Sequence, residues 1–209
     1  MISKKHKYIF VHIPKNAGTS IRGELKKVTT DKPLHTDWHY TLPQLIEKLG
    51  EDHSSYYKFA FSRNPYDRLA SAFTYNMLKM AAGDREHWEH YGQSYRILRD
   101  FYTGDMVTNF KSFVLSSHFD NVFAGYYPVH FNSQAGFIGD CKPDFLGKVE
   151  KIEQGMKQVF KGIGFDTVPK VKRLNVSKNA SYVAFYTPEV RERVIQKYEE
   201  DFEVFGYKK

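Results

Sequence analysis

The sequence predicts an α/β fold in which a central parallel sheet is flanked by helices. A nearly uninterrupted run of β-branched and aromatic residues, Tyr8 to Ile13, leads into a turn and a helical pattern, as expected of a strand buried on both faces. The same order recurs from Tyr56 to Ser62, after which Asn64 and Pro65 open a long helix. Repetition of strand, turn and helix indicates parallel strands joined by right-handed crossovers.

The segment PKNAGTS after the first run is expected to form an anion-binding loop. Pro14 ends the strand because it lacks a backbone donor, and Gly18 permits a tight turn. Thr19 or Ser20 can cap the following helix, whose free N–H groups and dipole then lie beside Lys15. An ordinary connection with a surface lysine is the alternative at this point. Lys15 precedes Gly18, unlike the pattern G-x-x-x-x-G-K-[ST], which argues against kinase or GTPase chemistry.

Four further elements follow from capping residues and apolar spacing. A short helix opens at Thr41, and the long helix after Pro65 carries an apolar stripe. A late strand is expected at Phe145 to Val149, followed by a helix that Gly162 and Gly164 end. The last helix is expected to begin at Thr187. The stripe of the long helix is Leu69, Ala72, Phe73, Asn76, Met77 and Met80, and the buried face of the last helix is Val190, Val194, Tyr198 and Phe202.

Composition bounds the class of protein. A chain of 209 residues, 41% of them hydrophobic, can bury a substantial core, and we expect residues 1–209 to form a single domain. The net charge of +7 indicates acidic ligands, but the basic residues are scattered, so no nucleic-acid partner is predicted. Cys141 is the sole cysteine and allows no internal disulfide. The sequence has no signal-peptide-like or membrane-spanning run, so we expect a cytoplasmic protein without stable membrane insertion.

The segment RNPYDRLAS directly follows the second strand. Arg63 then lies at the carboxyl end of a sheet strand, the edge at which open α/β sheets bind ligands, while Ser71 points away from the apolar stripe, toward a crevice or solvent. Together, PKNAGTS and RNPYDRLAS resemble the two cofactor loops of family-2 type sulfotransferases, which include carbohydrate sulfotransferases. Further agreement comes from HYT at 39–41, FLGKVE at 145–150 and LNVS at 174–177. The resemblance covers nearly the whole chain, and residues 81–134 match least.

The resemblance implies a three-layer, P-loop-like α/β fold and use of 3′-phosphoadenosine 5′-phosphosulfate (PAPS) as sulfuryl donor, with no metal required. It implies that Lys15 contacts the 5′-phosphosulfate and that Arg63 and Ser71 hold the 3′-phosphate. Asn175 and Ser177 join the cofactor-binding set. The residues of the first loop in that set are Pro14, Lys15, Asn16, Ala17, Gly18, Thr19 and Ser20. Residues 81–134 are expected to form a mostly helical insertion that covers the acceptor side.

The implied reaction is in-line sulfuryl transfer to a hydroxyl of a carbohydrate or other small acceptor. Lys15 is the candidate for stabilising the leaving phosphate. A neutral histidine is suited to take the hydroxyl proton, and His39 stands where family members place one, with His35 as the runner-up. His12, inside the expected strand, is interpreted as a core group. A nucleotide-dependent kinase of similar fold and a non-catalytic adenosine-phosphate-binding module are the alternatives, and oligomeric state is not predicted.

Overall fold

The computed structural model describes residues 1–35, 39–83, 96–123, 129–165 and 182–209. The chain divides into two compact units by the contacts within it. The first comprises Met1–Arg63 and Gln134–Ser177, and the second comprises Asn64–Ser133 and Lys178–Lys209. The single-domain expectation stays a prediction.

The helices of the described residues are short to medium in length, and residues 96–100 are also helical. None of the helices in these ranges combines the length and the apolar character needed to cross a membrane. Their bounds are α1 Gly18–Val28, α2 Leu42–Leu49, α3 Pro65–Ala81, α4 Met106–Leu115, α5 Ala135–Ile138, α6 Ile152–Gly162, α7 Pro188–Lys197 and α8 Glu199–Val204.

The first unit contains a four-stranded sheet in the order β1-β2-β3-β4. The strands are β1 Ile2–Ser3, β2 Tyr8–Val11, β3 Tyr57–Ser62 and β4 Phe145–Lys148. Strands β2, β3 and β4 are parallel, which confirms the mixed α/β prediction, but β1 pairs with β2 antiparallel. Because the link between β1 and β2 is far too short for a crossover, a hairpin is the only pairing it allows. The expectation of an all-parallel sheet is therefore wrong at this edge.

Helices cover the sheet because successive side chains of a strand point to opposite faces, and all four residues of β2 are apolar and buried. On one face, the rings of Phe10 and Phe59 stack with centroids 5.2 Å apart. Helices α1 and α6 pack on that face through buried residues, while α2 contacts β2. The cluster on this face includes Tyr8, Phe10, Ile21, Leu25, Phe59, Phe61, Ile152, Met156, Val159 and Phe160.

Local signals account for where α2 begins. The Thr41 hydroxyl accepts a hydrogen bond from the Gln44 backbone N–H, and the Gln44 side chain accepts one from the Thr41 backbone N–H. This reciprocal capping box satisfies two donors that the first helical turn leaves open. Pro43 follows in the first turn, where its missing N–H carries no penalty. The short helix expected from Thr41 is therefore confirmed.

The described residues of the second unit form helices, turns and the segments that connect them. Helix α3 begins after Asn64, whose side-chain oxygen accepts from the Tyr66 backbone N–H, and all six residues of its expected stripe are buried. The expected last helix is two helices, because the backbone at Tyr198 leaves the helical region (φ −117°, ψ 27°) and separates α7 from α8. Its expected buried face is nevertheless buried throughout. The described part of residues 81–134 holds the segment 96–100, α4 and two short 3₁₀ turns, Ser117–Asn121 and Val129–Phe131.

Candidate active site

The first loop connects β2 to α1 through an unusual backbone. Lys15 (φ 67°) and Ala17 (φ 58°) both occupy the left-handed region, which costs roughly 1–2 kcal/mol for each residue with a Cβ. Left-handed residues in such loops are typical of backbone concavities that bind anions. Helix α1 begins at Gly18 with Ala17 as its N-cap, so the expectation that Thr19 or Ser20 caps it is wrong. Since Ala17 provides no side-chain cap and the first turn has no acidic residue, this helix end is suited to a negative ligand.

Gly18 makes room for the ring of His12. A Cβ added at Gly18 would lie 1.8 Å from both Cδ2 and Nε2 of His12, so the imidazole rests directly on the start of α1. His12 follows the last residue of β2 and is half-buried. The expectation that His12 lies inside the strand as a core group is therefore wrong, because β2 ends at Val11.

His39 is held beside this loop by His12. Its Nδ1 lies 2.9 Å from the backbone carbonyl oxygen of His12, and the two rings are 4.4 Å apart between centroids. A carbonyl oxygen only accepts, so Nδ1 carries the proton in this bond, and the lone pair of the neutral ring is on Nε2. That is the tautomer a general base requires at Nε2.

His35 has different surroundings. Its ring meets Tyr40 edge-on at 5.8 Å between centroids, and its backbone is left-handed (φ 54°). Burial, followed by the charge of Lys48, lowers the pKa of His35. This histidine is therefore biased toward its neutral form. Its ring contacts Tyr40, whereas His39 contacts His12, whose ring lies against Gly18 of the first loop.

The end of β3 is tied to the first loop by a network of buried amides. The Arg63 Nη1 donates to the carbonyl oxygen of Lys15 at 3.0 Å. The Asn16 Nδ2 donates to the carbonyl oxygen of Phe61 and to Oε1 of Gln134, both at 2.7 Å. Asn16 and Gln134 are 2% and 0% exposed, so these bonds form out of water, where an unmade one is expensive. The network fixes the position of Arg63 relative to the loop that bears Lys15.

Comparison with known proteins decides the family. The model of the sulfotransferase family matches residues 1–208. The chain belongs to the sulfotransferase family.

Individual relatives of this sulfotransferase-family chain are distant. Carbohydrate sulfotransferase 10 of Xenopus laevis is 23% identical over 239 aligned residues, covering 99% of this chain and 66% of the relative. Carbohydrate sulfotransferase 10 of Danio rerio is 24% identical, with 100% and 66% covered, and that of Gallus gallus is 23% identical, with 99% and 66% covered. The chain thus spans about two thirds of the length of the curated relatives it matches. No solved structure matches it.

The remaining site residues of this sulfotransferase-family chain are placed as follows. Pro14 and Ser20 are buried, and Thr19 is exposed at the start of α1. Ser71 is half-buried on α3 in the second unit, and its pairing with Arg63 around a 3′-phosphate stays a prediction. Asn175 and Ser177 lie outside the described residues.

The sequence analysis did not identify two residues of this candidate site. Gln134 stands alone at the end of the expected insertion, in no motif, and meets Arg63 across 71 positions of sequence. His12 was assigned to the strand core, although Gly18 six residues later could have signalled a close approach to its ring. Asn16 was expected as a ligand donor. Its side-chain Nδ2 donates to the Phe61 carbonyl oxygen and to Oε1 of Gln134, and its backbone N–H donates to the Ile13 carbonyl oxygen.

Proposed function

We propose that this chain is a sulfotransferase that moves a sulfuryl group from PAPS to a carbohydrate hydroxyl. The observation that carries the proposal is His39, whose Nδ1 is bonded to the His12 carbonyl so that Nε2 is the basic nitrogen beside the first loop. Family membership supports the reaction class. The carbohydrate acceptor is inferred from the names of the relatives, each a carbohydrate sulfotransferase 10.

The first loop has the properties that a phosphosulfate site needs. Lys15 supplies a positive charge, and the left-handed Ala17 leads into a helix end without a side-chain cap. Gly18 has no Cβ, which lets the His12 ring pack against the start of this helix. These residues would hold the 5′-phosphosulfate, and Arg63 would offer its planar guanidinium to the 3′-phosphate. When bound there, PAPS supplies the activated sulfuryl group.

His39 and Lys15 would divide the chemistry between them. His39 accepts the proton of the acceptor hydroxyl at Nε2 while that oxygen bonds to sulfur, and the His12 carbonyl stabilises the imidazolium through Nδ1–H. Lys15 counters the negative charge that the phosphate gains as its bond to sulfur breaks. A positioned base of this kind contributes about 10²- to 10⁴-fold to the rate.

The test is transfer of radiolabelled sulfate from PAPS to a panel of carbohydrates by wild type, His39→Ala and His35→Ala. We expect wild type to label at least one acceptor, His39→Ala to be slower by about 10²- to 10⁴-fold, and His35→Ala to stay within a few-fold of wild type. A His39→Ala variant of wild-type rate would refute the base assignment.

Other outcomes of the same assay separate the alternatives. Saturable binding of 3′-phosphoadenosine 5′-phosphate without transfer to any acceptor would favour a binding module. Magnesium-dependent ATP turnover would favour a kinase of similar fold.

A further inference from the structure

We propose that Gln134 is a positioning residue that aligns Arg63 with the first loop and so sets the affinity for the donor. The proposal rests on the proposed function for the identity of the ligand. Gln134 is fully buried and stands at the N-cap position of α5, yet its side chain makes no cap bond to that helix. Its amide is instead directed at Arg63.

The Gln134 side chain holds the main chain of Arg63 at two points. The Arg63 backbone N–H donates to Oε1 at 2.9 Å, and Nε2 donates to the Arg63 carbonyl oxygen at 2.9 Å. Both peptide groups that flank the Arg63 Cα are therefore fixed by one side chain. The direction in which the guanidinium leaves the backbone is set by this pairing.

The same Oε1 reaches the first loop. It accepts the bond from Asn16 Nδ2, which also donates to the Phe61 carbonyl oxygen. Asn16 lies between the left-handed Lys15 and Ala17, so this bond restrains the strained part of the loop. A closed ring of contacts results, since Arg63 Nη1 returns to the Lys15 carbonyl.

The arrangement requires a side chain that offers both an acceptor and a donor, as the uncharged amide of Gln134 does. Main-chain groups fix the orientation of Gln134, because its oxygen faces an N–H and its nitrogen faces a C=O. Gln134→Glu keeps the acceptor but loses the donor to the Arg63 carbonyl, and Gln134→Met keeps the approximate volume but loses both. A protonated glutamic acid has an O–H that can replace the missing donor.

The experiment is calorimetric titration of 3′-phosphoadenosine 5′-phosphate into wild type, Gln134→Glu, Gln134→Met and Arg63→Ala, and into Arg63→Ala combined with each Gln134 variant. We expect about tenfold weaker binding for Gln134→Glu at neutral pH, the effect of one buried hydrogen bond, and a larger loss for Gln134→Met. In the Arg63→Ala background, the Gln134 substitutions should add little further loss. Additive losses, or Gln134 variants that bind as wild type does, would overturn the proposal.

Two further readouts separate positioning from general destabilisation. The Kd of Gln134→Glu divided by that of wild type should fall toward one as the pH is lowered, because the introduced carboxyl becomes protonated. A ratio that does not change with pH would count against the proposal. The control is Asn109→Leu, which removes a fully buried amide of the second unit that accepts bonds from Thr103. Its Kd should equal that of wild type.

Backbone hydrogen exchange tests the coupling without any ligand. Exchange at Arg63 and at residues 15–17 should speed up in Gln134→Met but not in Asn109→Leu, and equal exchange in both would overturn the proposal. If wild type fails to bind 3′-phosphoadenosine 5′-phosphate, the proposed function is wrong, and the exchange result still decides the role of Gln134.

Discussion

Gly18→Ala tests the packing of His12 against α1, on which the position of His39 depends. The new methyl carbon would lie 1.8 Å from two atoms of the His12 ring, so the ring must move. The backbone itself is compatible with alanine, because Gly18 is outside the left-handed region. The substitution therefore perturbs the imidazole pair and leaves the loop's own conformation accessible.

The magnitude follows from two opposing effects. Forcing a methyl into a filled space costs about 1–3 kcal/mol, while alanine is favoured over glycine in a helix by up to about 1 kcal/mol. The net loss of unfolding free energy should be roughly 0–3 kcal/mol. The loss of activity should be larger, because the displaced His12 ring is 4.4 Å from that of His39 and a misplacement of about 1 Å can lower a rate by about 10²-fold.

Gly23→Ala is the matched control on the same helix. A Cβ at Gly23 meets nothing within 4 Å, so we expect a gain of roughly 0.5–1 kcal/mol in unfolding free energy and unchanged activity. Both variants are compared by urea unfolding and by the rate of sulfate transfer from PAPS. If Gly18→Ala equals Gly23→Ala in stability and in rate, the packing of His12 on α1 does not position His39 and this part of the account is wrong.

Two further predictions concern stability. Thr41→Ala removes the hydroxyl half of the α2 capping box and should lower the unfolding free energy by about 1 kcal/mol, which urea unfolding at neutral pH measures; an unchanged midpoint would contradict it. For Glu51, the Tyr56 hydroxyl and then Lys4 lower the carboxyl pKa from 4.5 to about 2, so its stabilisation is present above pH 4.5 and lost as pH falls to about 2. Glu51→Gln should therefore unfold at a lower urea concentration than wild type at pH 7, and at nearly the same concentration at pH 2. The difference at pH 7 should be small and sensitive to salt, because the Lys4–Glu51 ion pair is exposed.

Where capping residues and apolar spacing give strong local signals, the sequence was sufficient to predict where a helix begins and which of its residues are buried. The start of α2 follows from Thr41 and Pro43, and that of α3 from Asn64 and Pro65, because capping groups and a fixed proline φ act within a few residues. The stripe on α3 is equally local, since helical spacing alone brings its residues to one face.

Features set by distant contacts could not be predicted in this way. Strand β1 has two residues, too few for any periodicity. The left-handed conformation of Ala17 opposes its intrinsic preference and is held by the surrounding structure. Gln134 carries no local signal because its role exists only once β3 has brought Arg63 beside it, and the break at Tyr198 interrupts an apolar pattern that continues through it.

The central claim is that the first loop and Arg63 bind one ligand with a 5′-phosphate and a 3′-phosphate. Calorimetric titration of wild type with 3′-phosphoadenosine 5′-phosphate tests it most directly. We predict saturable one-site binding that is much tighter than binding of ATP and that weakens by about 10- to 100-fold in Arg63→Ala, as expected for the loss of a charge-assisted contact. Absence of binding, or equal affinity of wild type and Arg63→Ala, would contradict the account.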